Sequence, residues 1–320
     1  MQTLVTGATG FVGANLVRRL LDEGDEVHVF LREGSNRWRL ASVLDHLHPH
    51  TIDLRDEAAV MRAVEGIRPQ TIFHLAAYGA YPFQTEVNPI LATNLLGTSN
   101  LVQACARVGF EAFVNTGSSS EYGFKSHPPA ETDLPEPNSY YAVAKASATL
   151  YCSYTSRNIE RPITTLRLYS AYGPYEEPSR LMPTLIKKGL QGELPPLVAP
   201  DTARDFIYID DVCEAYIRAA RSTSLEFGEV LNVGMGVQRT IREIVEVARE
   251  VLNIEAKPEW GSMDARIWDS SVWVADNRRI RERLGWEPHF DLREGFSAMV
   301  DWFRENSAIV ESEYSSEGRT

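Results

Sequence analysis

Tyr141 and Lys145 lie four residues apart in Tyr141-Ala142-Val143-Ala144-Lys145, so a helix there carries a phenol and an ammonium on one face. A cation beside a phenol stabilises phenolate and makes tyrosine a usable acid or base near neutral pH. Tyr140 has no lysine at that spacing. Ser118, in Thr116-Gly117-Ser118-Ser119-Ser120-Glu121-Tyr122-Gly123, follows an apolar strand pattern. That order predicts a position at the carboxyl end of a sheet, where ligands of open α/β folds bind.

A second constellation opens the chain. Gly7, Gly10 and Gly13 give the spacing G-x-x-G-x-x-G directly after a strand pattern and at the start of an amphipathic helix. Such glycines permit a tight turn, a close backbone approach to a pyrophosphate and close packing of helix on strand, while the helix N-terminus offers N–H donors to the anion. Thr9, Phe11 and Val12 complete this candidate dinucleotide loop. The spacing differs from the G-x-G-x-x-G of ordinary dinucleotide dehydrogenases.

The end of the second strand bears on which dinucleotide binds. A carboxylate there would accept from the adenosine ribose hydroxyls, but the chain reads Leu31-Arg32-Glu33-Gly34-Ser35-Asn36-Arg37. Arg32, with Ser35 and Arg37 nearby, suits a 2′-phosphate and favours NADP(H). NAD(H) remains open if Glu33 holds the ribose and the arginines are merely solvated. Asp53 and Leu54, after the next strand-like run, are candidates for the adenine edge.

The elements that must position these groups are legible as alternation. Strand cores at Thr3–Thr6, Glu26–Phe30, Thr71–Leu75 and Ala112–Asn115 alternate with helical patterns such as Val12, Leu16, Val17, Leu20 and Leu21. This pattern predicts βαβ units and a doubly wound parallel sheet. Arg167–Tyr169 and Val230–Val233 read as further strands. Helical patterns at Pro89–Val108 and Tyr141–Arg157 are poor in charge and are expected to be buried against the sheet or another subunit. Thr240 and Glu243 have capping-box spacing ahead of a helix from Ile241 to Leu252. Residues 173–200 are dense in Pro, Gly and Glu and read as loops over a cleft. The expected organisation is a dinucleotide domain at 1–170 to which some later segments return, a smaller α/β lobe at 171–304, and a frayed polar tail at 305–320.

Composition limits the partners. The 320 residues carry 32 basic and 44 acidic side chains, a net charge of −12, so no overall field draws nucleic acid or an anionic membrane. An anionic ligand must be met by local cations. Cys105, Cys152 and Cys213 sit in apolar helical patterns without metal or disulfide spacing and are expected as buried thiols. No apolar run approaches the ~18 residues of a membrane span, and no leader precedes Leu4, so a cytoplasmic protein is expected.

Together these motifs resemble the extended short-chain dehydrogenase/reductases, in particular the NAD(P)-dependent nucleotide-sugar epimerase/dehydratase family. The resemblance extends over His74-Leu75-Ala76-Ala77, Asn94-Leu95-Leu96-Gly97-Thr98 and Leu166-Arg167-Leu168-Tyr169-Ser170-Ala171-Tyr172-Gly173-Pro174. It continues through Arg204-Asp205-Phe206, Asn232-Val233-Gly234, Arg266-Ile267-Trp268-Asp269 and Leu284-Gly285-Trp286. It implies a modified Rossmann lobe, with Leu75, Ala76, Ala77 and Asn94 beside the dinucleotide. It also implies a C-terminal lobe for a nucleotide-diphosphate sugar, with Ser170, Arg204, Arg266 and Asp269 as contacts. Ser170 stands where many relatives have Asn. Arg180 is a further candidate cation, although a loop arginine is usually solvated.

By the same resemblance Tyr141 handles the proton on the sugar O4 while hydride passes between C4 and nicotinamide. Lys145 lowers the phenol's pKa and binds the nicotinamide ribose, and Ser118 hydrogen-bonds the sugar oxygen. Related 4,6-dehydratases place an acid and a carboxylate in the two positions after the serine. Here these are Ser119 and Ser120, whose hydroxyls do not titrate near neutrality. Glu121 comes one residue later. Dehydration is therefore disfavoured, and NADPH-dependent reduction of a 4-keto-6-deoxyhexose ranks slightly ahead of NAD-dependent 4-epimerisation. A non-catalytic dinucleotide sensor would be expected to lack Tyr141 or Lys145. The resemblance further implies a homodimer through a four-helix bundle built from the helices at 91–106 and 141–154. Of Trp260, Trp268 and Trp273, near Arg266, two are expected in the core of the small lobe.

Overall fold

The computed structural model describes residues 1–81, 83–263 and 272–314. Strands β1 (Gln2–Thr6), β2 (Glu26–Leu31), β3 (His48–Thr51), β4 (Thr71–His74), β5 (Ala112–Ser118) and β6 (Ile163–Leu168) pair in parallel. With β7 (Ser170–Tyr172), β8 (Ala203–Arg204) and β9 (Phe206–Tyr208) forming smaller pairs, β10 (Val230–Val233) returns to the main sheet. The seven-stranded order is β10-β6-β5-β4-β1-β2-β3.

The inner strands are buried on both faces because helices cover both. Leu4, Ile72 and Phe113 face a core shared with α2 (Glu57–Ile67) and α4 (Gly97–Val108), whereas their neighbours Val5, Phe73 and Val114 face one shared with α1 (Phe11–Asp22). Alternate residues of a strand point to opposite faces, so each strand supplies both cores. Between α2 and α4 lies α3 (Val87–Leu91), joined to α4 by a π-type turn at Ala92–Leu96. The chain leaves β1 toward β2 and β3, then returns to the other side of β1 as β4. The loops leaving the carboxyl ends of β1 and β4 therefore flank the crevice where such sheets bind ligands.

Several expectations move in detail. The strand expected at Arg167–Tyr169 is β6, which begins at Ile163. The helix expected at Tyr141–Arg157 is α5 (Tyr140–Ile159). The stretch 173–200 is not loop throughout but contains α6 (Leu181–Gly189), with Met182, Leu185 and Ile186 buried. Pro183 is tolerated because it lies in the first turn, where its missing N–H has no intrahelical partner to lose. After α7 (Ile209–Arg221), β11 (Arg239–Thr240) leads into α8 (Ile241–Leu252), whose Thr240–Glu243 capping box forms as expected. Next come α9 (Arg278–Leu284) and α10 (Leu292–Glu305). The chain after Glu305 is docked as far as Tyr314, whose ring packs on Trp38, Trp302 and Phe303 and whose hydroxyl donates to Glu176 O at 2.9 Å. Aromatic burial accounts for this departure from the expected frayed tail. Cys105, Cys152 and Cys213 are buried free thiols. No helix among the described residues is long and apolar enough to cross a membrane.

Candidate active site

The glycine loop joins β1 to α1. Gly7 has φ +72°, and a Cβ there would stand 2.5 Å from the backbone of Leu75 and Ala76, so the loop closes against the turn after β4 only with glycine. A Cβ on Gly13 would stand 2.3 Å from Gly7 O, so helix and loop approach within backbone contact. Gly10 caps α1 without a side chain, and the first intrahelical donor is Ala14 N–H, to Gly10 O. The N–H groups of Phe11, Val12 and Gly13 thus lie at an uncapped helix N-terminus suited to an anion.

The turn after β4 is fastened to this loop. Leu75 N–H donates to Thr6 O at 3.1 Å and Ala76 N–H to Thr6 Oγ1 at 3.3 Å, while Ala77 is exposed. Both ends of the buried Asn94 amide are taken by Tyr78, Oδ1 from its N–H at 2.9 Å and Nδ2 to its carbonyl at 2.6 Å. Asn94 therefore supports the turn that borders the site. At the adenosine end, Arg32 and Glu33 are exposed, and the buried Ser35 Oγ has no hydrogen-bond partner among the described residues. Arg55 forks onto Asp53, holding that carboxyl below its ordinary range, with Arg32 acting in the same direction. Leu54 is buried, and a Cβ on Gly97 would stand 3.0 Å from its own Cβ.

Ser118 ends β5, and its hydroxyl lies close enough to the phenol of Tyr141 on α5 to draw that phenol down. Lys145, one turn further along α5, is 2% exposed, and no hydrogen-bond acceptor for its ammonium is found among the described residues. Burial lowers its pKa, while the charge of Glu121 opposes that. A buried ammonium without its own acceptor suits a site completed by ligand hydroxyls. The chemistry at Tyr141 differs from the expectation in one respect. Burial pushes the phenol up to about 12, and the groups drawing it down are the Ser118 hydroxyl and the Arg180 charge, not Lys145. Desolvation of phenolate outweighs a single helical neighbour.

The substrate side is assembled by loops. Arg180, at the N-cap of α6, is exposed, yet it lies 5.8 Å from the Tyr81 ring and its charge reaches Tyr141. Ser170 donates its N–H to Asp205 O, and Arg204 lies 5.4 Å from the Trp273 ring. Asp205 is buried, and its carboxylate accepts from Met235, Gly236 and Ala275 N–H at 2.7, 3.0 and 2.9 Å, which fixes the loop after β10 against β8. Burial raises its pKa to about 6. Ser119 is buried and Ser120 half-buried. Arg266, Asp269 and Trp268 lie outside the described residues. Trp260 and Trp273 are both half-buried, under Arg242 and Arg204 respectively.

Two groups escaped the sequence reading. Buried Arg39 donates to Tyr175 O at 2.7 Å, to Thr9 O at 3.4 Å and to Glu177 at 3.2 Å, tying the glycine loop to the segment after β7. Tyr81 stacks on Phe83, and its hydroxyl acts electrostatically on Tyr141.

Comparison with known proteins agrees with this geometry. Residues 3–234 match the model of the NAD dependent epimerase/dehydratase family. A UDP-glucose 4-epimerase of Mycolicibacterium smegmatis is 31% identical over 317 residues, covering 96% of this chain and all of the relative. A dTDP-glucose 4,6-dehydratase of Streptomyces griseus is 30% identical, covering 95% and 94%. The crystal structure of the Thermus thermophilus UDP-glucose 4-epimerase in complex with NAD superposes with a TM-score of 0.84 at 30% identity, covering 96% of this chain and 100% of that one.

Proposed function

The chain belongs to the NAD-dependent epimerase/dehydratase family of enzymes, and from that premise we propose that it inverts C4 of a nucleotide-diphosphate sugar as an NAD-dependent 4-epimerase. The observation that carries the reading is that Ser118, at the end of β5, acts on the phenol of Tyr141, one turn before buried Lys145 on α5, with Ser119 and Ser120 where a dehydratase needs an acid and a base. A bound nicotinamide supplies the acceptor and donor for the C4 hydride. Tyr141 takes the O4 proton as C4 is oxidised and returns it after the ketosugar has turned over. Ser118 holds O4 through both steps, and Lys145 holds the nicotinamide ribose. Arg204 and Arg180 supply the local cations that an acidic protein needs for a diphosphate. Arg266, Asp269 and Ser170 remain candidates for the same ligand.

The relatives' names support epimerisation ahead of reduction, and they make UDP-hexoses the first substrates to try. One observation favours a second reading, an NADPH-dependent 4-keto reductase. β2 ends without a carboxylate, at exposed Arg32 beside Ser35 Oγ, which has no partner among the described residues, and this suits a 2′-phosphate. The test is to denature purified protein, identify released dinucleotide by mass, and follow UDP-glucose and UDP-galactose interconversion. Retained NAD with interconversion supports the epimerase. An empty or NADP-loaded site with turnover of 4-ketosugars only would replace it by the reductase.

We also read the active unit as a cytoplasmic homodimer. Tyr140, Val143, Leu150 and Tyr154 expose an uncharged stripe along α5, and Leu96 is exposed just before α4. Large apolar stripes of this kind mark interfaces.

A further inference from the structure

Glu121 is fully buried and takes no part in the hydride chemistry above. It lies in the short turn Ser119–Tyr122 that follows β5. One carboxylate oxygen accepts the Ser118 backbone N–H at 2.8 Å and the Thr149 hydroxyl of α5 at 3.0 Å. The other accepts Arg167 Nε from β6 at 2.8 Å. Arg167 Nη1 donates to Tyr122 OH at 2.8 Å, which donates in turn to Asn232 Oδ1 of β10 at 2.7 Å. Strands β5 and β6 and helix α5 thus meet on one carboxylate, and β10 joins the network through Tyr122. Meanwhile Ser118 Oγ accepts the Ser120 N–H at 3.2 Å, closing a reciprocal cap and leaving its hydroxyl proton for Tyr141 or a sugar oxygen. A buried ion pair is a poor means of adding stability, because desolvation offsets most of the attraction. Its placement directly beneath the serine points to another use.

We propose that Glu121, its buried charge compensated by Arg167, is a positioning residue that fixes the Ser118 backbone so that the serine hydroxyl stays against the Tyr141 phenol. The inference rests on the reading of Ser118 and Tyr141 as the C4 proton machinery.

Two double variants of the full chain separate this role from simple support. Glu121→Gln with Arg167→Met keeps an oxygen for the Ser118 N–H and strands no charge; Glu121→Leu with Arg167→Met removes that oxygen too. Removing both charges together avoids the unfolding expected when one partner is left unpaired. In the Leu/Met variant kcat should fall about ten-fold or more while KM and dinucleotide Kd stay within about two-fold, and the Gln/Met variant should retain kcat within about three-fold. Hydrogen exchange over residues 116–123, measured without substrate, should quicken about ten-fold in the Leu/Met variant alone. Wild-type kcat in a folded Leu/Met variant, equal loss of kcat in both variants, or unchanged exchange would overturn the proposal. A Tyr141→Phe control with full turnover would instead overturn the proton-transfer reading, and the exchange result would still decide whether Glu121 anchors Ser118.

Discussion

The Thr6 hydroxyl donates to His74 Nδ1 across 2.7 Å, joining the carboxyl ends of β1 and β4 beneath the crevice. The imidazole tautomer follows from the remaining bonds. Thr98 Oγ1 donates to Asn94 O at 2.7 Å, so the 2.8 Å contact between His74 Nε2 and Thr98 Oγ1 requires the proton on Nε2. Burial, with the Lys145 charge second, pushes His74 down to about 3 and keeps it neutral. Thr6→Val preserves volume but strands the imidazole nitrogen and the Ala76 N–H, at a cost of about 1–3 kcal/mol. Thermal unfolding should show this loss together with weaker dinucleotide binding; an unchanged melting curve would show that the relay does not hold the loops.

The phenol of Tyr141 stands at about 12 before ligands bind, so at neutral pH little of it is phenolate. An epimerase must begin with that scarce base. Its kcat/KM should therefore rise with pH between about 6 and 9, by at most ten-fold per unit. A 4-keto reductase begins with the abundant phenol and should show no such rise. Tyr141→Phe should lower turnover by about 10²–10⁴-fold with dinucleotide affinity little changed. Full activity in that variant would mean that another group carries the proton.

The parallel sheet was legible, and the candidate site's glycine loop and Tyr141/Lys145 spacing could be proposed, because their signals are local. Strand runs, the spacing of Gly7, Gly10 and Gly13, and the pairing of Tyr141 with Lys145 are all short-range patterns. What escaped depends on register between distant segments. Arg167 meets Glu121 across 46 residues because β5 and β6 pair with Gly117 opposite Arg167. Arg39 meets Tyr175 across 136 residues. One local signal was present, since Ser118-x-x-Glu121 has capping-box spacing, and its side-chain bonds form as that motif requires. The docking of Tyr314 was hidden because a polar composition says nothing about one aromatic ring finding Trp38 and Trp302.

Arg32 is where the NAD and NADP readings part. On the NAD-dependent reading, Arg32→Ala leaves NADH and NADPH affinities each within about three-fold of wild type. Recognition of a 2′-phosphate would instead cost NADPH about 10- to 100-fold, the worth of a hydrogen bond to a charged group, and leave NADH unchanged. Fluorescence titration of the dinucleotide-free protein distinguishes the two.

On the homodimer reading, the stripe on α5 makes oligomeric state sensitive to one side chain. Leu150 is 64% exposed and lies on the same helix face as Val143 and Tyr154. Leu150→Glu would place a charge in each half of a helix-pair interface, where like charges lose both contact and solvation. Sedimentation should show a dimer for the wild type and a shift toward monomer for the variant. A monomeric wild type would remove the four-helix-bundle reading.

Glu176 links the segment after β7 to the C-terminal chain, and its side chain gives the fold a pH dependence of predictable sign. Its carboxyl is buried, with Oε2 lacking a partner among the described residues, and desolvation raises its pKa to about 8 despite the charge of Arg180. Against an ordinary value of 4.5, the folded state holds a proton that the unfolded chain releases. The stabilisation is therefore complete below pH 4.5 and is lost as pH rises toward 8, with a limiting slope of about 1.4 kcal/mol per pH unit. Glu176→Gln stays neutral throughout and removes this component. Denaturant unfolding at pH 6, 7 and 8 should show wild-type stability falling relative to the variant across that range. Parallel curves would mean that Glu176 is ionised in the folded protein and has found a partner for Oε2.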